Sequence, residues 1–290
     1  MKRTAGRVLF GLSLGLGLWA WLNAASGLNL DELKKSAEEL KKKRDSVASD
    51  LDKKAKSAGL VEYSDDEESA IGRQIAGNLL GAAPLVKDAK LQKYVNNVGT
   101  WVASQSERPD LPWHFGVIDS NDINAFAAPG GYIFVTRGLY RMLNDESELA
   151  GVLAHEVGHV IRKHHLKILQ KSQVVDQGGK LLEKQVGGNE KIRNLIGSGA
   201  EIVARSLDKE AEFEADRIAV VLAARSGYEA YGLPQVLQEI GHAGSDDKVA
   251  LLFKTHPHPD ERFSRLGNAM GERFDNQKGQ TLAARFYRIK

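Results

Sequence analysis

Between Asp65 and Val102 apolar residues recur at helical spacing: Ile71, Ile75, Leu79 and Leu80, then Leu91, Tyr94, Val95, Val98 and Val102. Gly81 to Pro84 interrupts the series and predicts two helices rather than one. Trp113–Ile118 and Ala125–Thr136 are short runs of β-type residues, and Pro129-Gly130-Gly131 marks a turn inside the second. Helical spacing then dominates to the end of the chain. One of these later helices has a readable start. Asp145 is placed to cap it, with Glu148 three residues on to complete a capping box. Leu149, Val152, Leu153, Val157, Val160 and Ile161 supply its apolar positions. The pattern predicts an α+β fold, mostly helical, with a small sheet.

Two other stretches have a different texture. Lys2, Arg3 and Arg7 precede an uncharged run from Val8 to Leu30, with small residues at Ala24, Ala25 and Ser26. A basic start and an apolar run read as a secretory signal over residues 1–25. The run is also long enough to be a retained membrane anchor, and either outcome exports the rest of the chain. Residues 26–60 mix charges of both signs. Leu33, Ala37, Leu40, Val47 and Leu51 fall at heptad-like spacing, but Arg44 breaks the seam, so a charged helical stalk is expected. Residues 61–290 read as the folded domain.

Composition narrows the chemistry. Of the 290 residues, 42% are hydrophobic and 27% charged, which suits a globular chain, and the mean hydropathy of -0.34 excludes many membrane spans. A net charge of +2 gives no reason to expect nucleic acid as a partner. The chain has no cysteine. Disulfides, thiolate metal sites and cysteine nucleophiles are therefore excluded, and any metal must be held by His, Asp or Glu.

The strongest chemical signal is His155-Glu156-Val157-Gly158-His159 within the capped helix. His155 and His159, four apart, project from one helical face, the geometry two imidazoles need to bind one zinc. Glu156, one step round, is badly placed to be a ligand and well placed to touch a water in an open coordination position. A catalytic zinc needs a third protein ligand. Glu212 and Asp216 also lie four apart in a helical pattern. One of them can bind metal while the other accepts a hydrogen bond from a liganding imidazole.

His-Glu-x-x-His followed by this downstream pattern resembles the zinc metallopeptidase family of HtpX-type and CAAX prenyl proteases, in its periplasmic BepA/LoiP-like branch. The likeness runs from about Ser64 to Asn268 through DEESAIGRQIAGNL (Asp66–Leu79), NAFAAPGGYIFVTRGL (Asn124–Leu139), Leu149–His165, Glu212–Asp216 and THPHPDERFSRL (Thr255–Leu266). It implies a zincin-like domain with one zinc per chain. His155, His159 and Glu212 would hold the metal, Glu156 would be the catalytic base, and Asp216 would support a liganding imidazole. Glu214 should point elsewhere.

The resemblance carries further expectations. Asn124, Ala125, Phe126 and Ala127 resemble the edge strand that pairs with substrate backbone. The histidine at His256 can reach the zinc in this branch and occupy its open position. Arg262 would either stabilise an oxyanion or pair with Glu212 or Asp216. His164 and His165 are not expected to be ligands, and residues 166–207 would behave as a lid.

The expected function is an exported, periplasmic zinc endopeptidase that cleaves unfolded or misassembled envelope proteins. It would work beside outer-membrane assembly machinery and could associate with the membrane through its N-terminus. A chaperone or assembly factor with gated proteolysis is the alternative. A zinc hydrolase acting on another amide, such as cell-wall peptide, has no specific feature behind it. One membrane segment at most sets the chain apart from prenyl-protein proteases.

Overall fold

The computed structural model describes residues 63–169, 207–242, 249, 252 and 256–289. The signal or anchor, the stalk and nearly all of the expected lid lie outside these residues. The described residues belong to one compact unit, Val61–Lys290.

Helix α1 (Asp65–Ala82) starts at a complete capping box, with Ser64 and Glu67 each accepting from the other's backbone N–H. Helix α2 (Ala89–Ser104) is capped by Asp88, whose carboxylate accepts from Lys90 N and Leu91 N. Strands β1 (His114–Ile118), β2 (Ala125–Ala128) and β3 (Tyr132–Thr136) form a sheet in the order β1-β3-β2, with β1 parallel and β2 antiparallel to β3. After the short α3 (Arg137–Met142) come α4 (Glu146–Ile161), α5 (Lys209–Arg225), α6 (Gly232–His242) and α7 (Pro259–Met270). Among the described residues no helix is long and apolar enough to cross a membrane.

The two sheet edges differ. The outer edge of β1 is closed by side chains of α2. The Gln92 amide donates to Val117 O at 2.9 Å and accepts from Val117 N at 2.9 Å, while Asn96 accepts from Phe115 N. Strand β2 forms the other edge. Thr136 N donates to Asn124 O at 3.0 Å, so Asn124 and every second residue after it face β3. By the same alternation the main-chain groups of Ala125 and Ala127 point away from β3; both residues are buried, and Ala125 N donates to Asn124 Oδ1 at 2.9 Å. The β2–β3 turn needs glycine: Gly130 has φ 73°, and a Cβ there would lie 2.5 Å from Ser69 Cα of α1. Gly130 N donates to Glu68, a fully buried carboxylate that also takes two hydrogen bonds from Arg108, so the hairpin is locked onto α1.

Helix α4 is the centre of the domain. Every residue from Glu146 to Val160 is buried, so the helix is enclosed on all sides despite its charged members. Asp145 caps it by accepting from Glu148 N. The expected capping box is not formed: the Glu148 carboxylate reaches one residue further back, to Asn144 N at 2.6 Å. Glu146 in the first turn accepts from the hydroxyls of Tyr94 and Tyr228, both at 2.7 Å, and from the Arg285 guanidinium. The C-terminal segment is thereby fastened to α4, and Thr281 O takes the N–H groups of Glu146 and Ser147.

Candidate metal centre

Helices α4 and α5 cross at small residues. A Cβ on Gly158 would lie 3.3 Å from Ala215 Cα, so little beyond glycine fits at the crossing. This close approach sets the acidic turn of α5 against the two histidines of α4. His155 Nε2 and His159 Nε2 lie 3.0 Å apart. Glu212 Oε2 is 3.6 Å from the first and Glu212 Oε1 3.6 Å from the second. His256, from the segment before α7, brings its Nε2 to 3.8 Å from Glu212 Oε2. One donor atom from each of His155, His159, Glu212 and His256 falls within 4.8 Å of the other three.

These four residues fit a metal ion. Zinc bonds of about 2.1 Å in a tetrahedron separate neighbouring donors by about 3.4 Å; four of the pairs, at 3.0 to 3.8 Å, straddle that value, and none exceeds 4.8 Å. The second indication is energetic. Glu212 is fully buried, and neither carboxylate oxygen has a hydrogen-bond partner. An ionised carboxylate left so costs several kcal/mol or more, whereas a cation between it and the imidazoles satisfies both oxygens.

Protonation suits the same purpose. Burial and neighbouring histidine charge push His159 well below the ordinary imidazole value, and burial takes His256 down to about 4. Both rings are therefore neutral and able to donate lone pairs. For His155, burial and the Arg262 charge act to lower the value, but the Asp216 and Glu212 carboxylates outweigh them and push it up to about 9. Burial would raise Glu212, yet the surrounding histidines and Arg262 hold it below the usual carboxylate range. Burial pushes Glu156 up to about 7, against the lowering effect of His155.

The surrounding contacts sort the remaining candidates. Asp216 Oδ1 accepts from His155 Nδ1 at 2.9 Å, which turns His155 Nε2 towards the cluster, and Arg262 Nη2 lies 3.4 Å from that Nε2. Arg262 pairs with Asp216 rather than Glu212: its Nε is 3.0 Å from Oδ2 and its Nη2 2.6 Å from Oδ1. Glu214 does turn away, its carboxylate lying 3.3 Å from His164 Nε2 and 3.1 Å from Arg162 Nε. His164 and His165 are outside the donor cluster, but His164 is not idle. Its Nδ1 sits 3.0 Å from His159 Nδ1. Sequence reading missed this contact, because α4 stops at Ile161 and the chain turns back through Lys163 at φ 54° before resuming as a helix over 164–169. A lysine in the left-handed region gives no warning of such a turn. His114 stacks on Tyr132.

A buried helix carrying His-Glu-x-x-His against a second helix that supplies a glutamate, beside a small sheet with β2 at its edge, defines a zincin-like metallopeptidase domain. The family model for peptidase family M48 matches residues 89–270, well over half of the chain, and the chain belongs to that family. It is similar to the beta-barrel assembly-enhancing protease of Yersinia pestis, with 32% identity over 212 residues, 70% of this chain and 44% of the relative. The protein of the same name from Escherichia coli (strain K12) is 30% identical over 211 residues, again 70% of this chain and 43% of the relative. A mitochondrial metalloendopeptidase of Arabidopsis thaliana is 28% identical over 168 residues, 58% of this chain and 33% of the relative. The chain thus spans less than half the length of these relatives. It is a metalloendopeptidase by family.

Proposed function

We propose that this chain is an exported zinc-dependent endopeptidase that cleaves unfolded or misassembled proteins of a cell envelope. The observation that carries the catalytic part is the buried, unpartnered Glu212 carboxylate facing His155 and His159. His155, His159 and Glu212 would hold one zinc ion, whose charge lowers the pKa of a bound water and polarises a peptide carbonyl. Glu156 takes the proton of the attacking water and delivers it to the leaving amine nitrogen. Asp216, braced by Arg262, holds the His155 ring with Nε2 towards the cluster. Substrate would lie extended along β2, where the main-chain groups of Ala125 and Ala127 point away from β3 while those of Asn124 and Phe126 face it. Backbone pairing of this kind reads little sequence and suits unfolded chains.

Support for the envelope comes from the basic, then apolar, N-terminal sequence and from relatives named for beta-barrel assembly. Both favour a periplasmic setting near outer-membrane assembly machinery, with membrane association through the N-terminus if that segment is retained. His256 adds a fourth donor to the cluster, and as a fourth ligand it would take the place a metal-bound water needs. So placed it would close the site and have to withdraw for turnover.

The test is zinc content together with hydrolysis of an unfolded protein, for the wild type and for His256→Ala. Stoichiometric zinc in both, with cleavage about five-fold or more faster in the variant, is the expected result, because removing the closing group raises the open fraction. Zinc without cleavage in either would favour the chaperone or assembly-factor reading. No zinc in either would refute the metal centre.

The raised His155 value adds a prediction about pH. The ring must lose its proton before Nε2 can bind metal, so zinc uptake releases a proton. Zinc affinity is expected to rise by up to about tenfold per pH unit between pH 6 and 8, below the His155 value of about 9. Competition against a chromophoric chelator at several pH values measures this, and a flat profile would show that the zinc-free site holds His155 neutral.

A further inference from the structure

We infer that His164 and Glu214 form a positioning pair that fixes the proton on His159 and so determines which of its ring nitrogens is offered to the metal. The inference rests on the metal reading above and concerns residues with no place in the expected ligand set. The contacts form a chain: His159 Nδ1 to His164 Nδ1 at 3.0 Å, then His164 Nε2 to Glu214 Oε2 at 3.3 Å. The other Glu214 oxygen is paired with Arg162 Nε at 3.1 Å.

Counting protons from the outer end admits one arrangement of neutral rings. The Glu214 carboxylate only accepts, so His164 Nε2 carries its ring's proton. His164 Nδ1 is then an acceptor, and the proton between the two rings belongs to His159 Nδ1. That leaves the lone pair of His159 on Nε2, the atom 3.0 Å from His155 Nε2 and 3.6 Å from Glu212 Oε1. With the opposite tautomer His159 would point an N–H at the metal position.

The two liganding histidines are thus oriented by different means. His155 meets a carboxylate directly, through Asp216 on α5. His159 lies further along α4, and Glu214 on the same α5 turn meets it only through an interposed imidazole. The turn that interposes it is itself anchored: Lys163 N donates to Val160 O, and Lys163 Nζ lies 3.3 Å from the buried Glu68 carboxylate. His164 is buried, as a relay would require, while Glu214 reaches the surface.

The experiment is zinc affinity of the full chain, by competition with a chromophoric chelator, for the wild type, His164→Leu, His164→Asn and Glu214→Gln. Thermal melts of each zinc-free protein are recorded alongside. Loss of the group that orients a liganding histidine weakens metal binding by about 10–100-fold. His164→Leu is expected to lose that much. His164→Asn, whose Oδ1 stands where Nδ1 accepted, is expected to return to within about threefold of the wild type. Glu214→Gln is expected to lose several-fold, because an amide can donate as well as accept and no longer dictates the tautomer.

His164→Leu binding zinc as tightly as the wild type would overturn the inference, as would His164→Asn binding no better than His164→Leu. If His164→Leu does not fold, the half-exposed Glu214→Gln decides: unchanged affinity overturns the inference and a several-fold loss supports it. A wild-type protein that binds no zinc refutes the metal reading itself and is distinguishable from all of these.

Discussion

Glu156→Gln is expected to retain stoichiometric zinc and lose about 10³-fold in kcat/KM on an unfolded protein substrate. The glutamine keeps the shape of the side chain and an accepting oxygen but has no basicity, so what disappears is the proton transfer, a contribution of about 10²–10⁴-fold. Zinc should stay because Glu156 lies outside the set of His155, His159, Glu212 and His256 that brings its donors together. Stability should hold as well. Burial already pushes the Glu156 carboxyl up to about 7, so a neutral isostere removes a charge the site disfavours. Zinc by metal analysis, the melting curve and the initial cleavage rate check the three parts. Undiminished cleavage would remove Glu156 from the proposed base role. Loss of zinc would mean that it takes part in holding the metal.

Residues that act through local periodicity were the legible part of this site. His155 and His159 share a face because a helix repeats every 3.6 residues, and Glu212 and Asp216 do so for the same reason. That α4 and α5 cross with these faces together was not written in either helix. It depends on Gly158 meeting Ala215, a contact between positions far apart in sequence. Which carboxylate Arg262 meets was decided by packing, since the turn of α7 aims two of its three nitrogens at Asp216.

Elsewhere the controlling feature was a departure from regularity. His164 reaches His159 only because Lys163 adopts positive φ, which no residue type there announced. The likeness of Asn124–Ala127 to an edge strand could be stated from sequence. The closure of the opposite edge by Gln92 and Asn96 could not, because it joins an α2 face to a strand beyond it. In sequence Glu146 is one acid in the first turn of a helix. It is a buried anchor because Tyr94, Tyr228 and Arg285 converge on it from three other parts of the chain.

Arg262→Met is expected to lower stability by about 3–5 kcal/mol at neutral pH, the cost of stranding one partner of a buried ion pair. For a domain of this size that is a fall in Tm of about 6–20 °C. Arg262 and Asp216 are both buried, and the guanidinium grips both carboxylate oxygens. Burial alone would raise Asp216, but Arg262 and His155 hold it well below the usual carboxylate range. A depressed folded value contributes stability that is present above the unfolded value of about 3.9 and is lost as pH falls through the folded one. In Arg262→Met burial is opposed by His155 alone, so Asp216 rises from its wild-type value. The variant then takes up a proton in the folded state as the pH drops towards 4.5, while the wild type does not. The Tm gap between zinc-free wild type and variant is therefore expected to be widest near pH 7 and to narrow towards pH 4.5.

A gap independent of pH would mean that lost packing, not the stranded charge, sets the cost. The double variant Arg262→Met/Asp216→Leu separates the two jobs of the pair. With neither partner of the pair left to be stranded it should recover most of the lost stability. It should still bind zinc about 10–100-fold more weakly than the wild type, because His155 Nδ1 has lost the acceptor that aims its other nitrogen into the site.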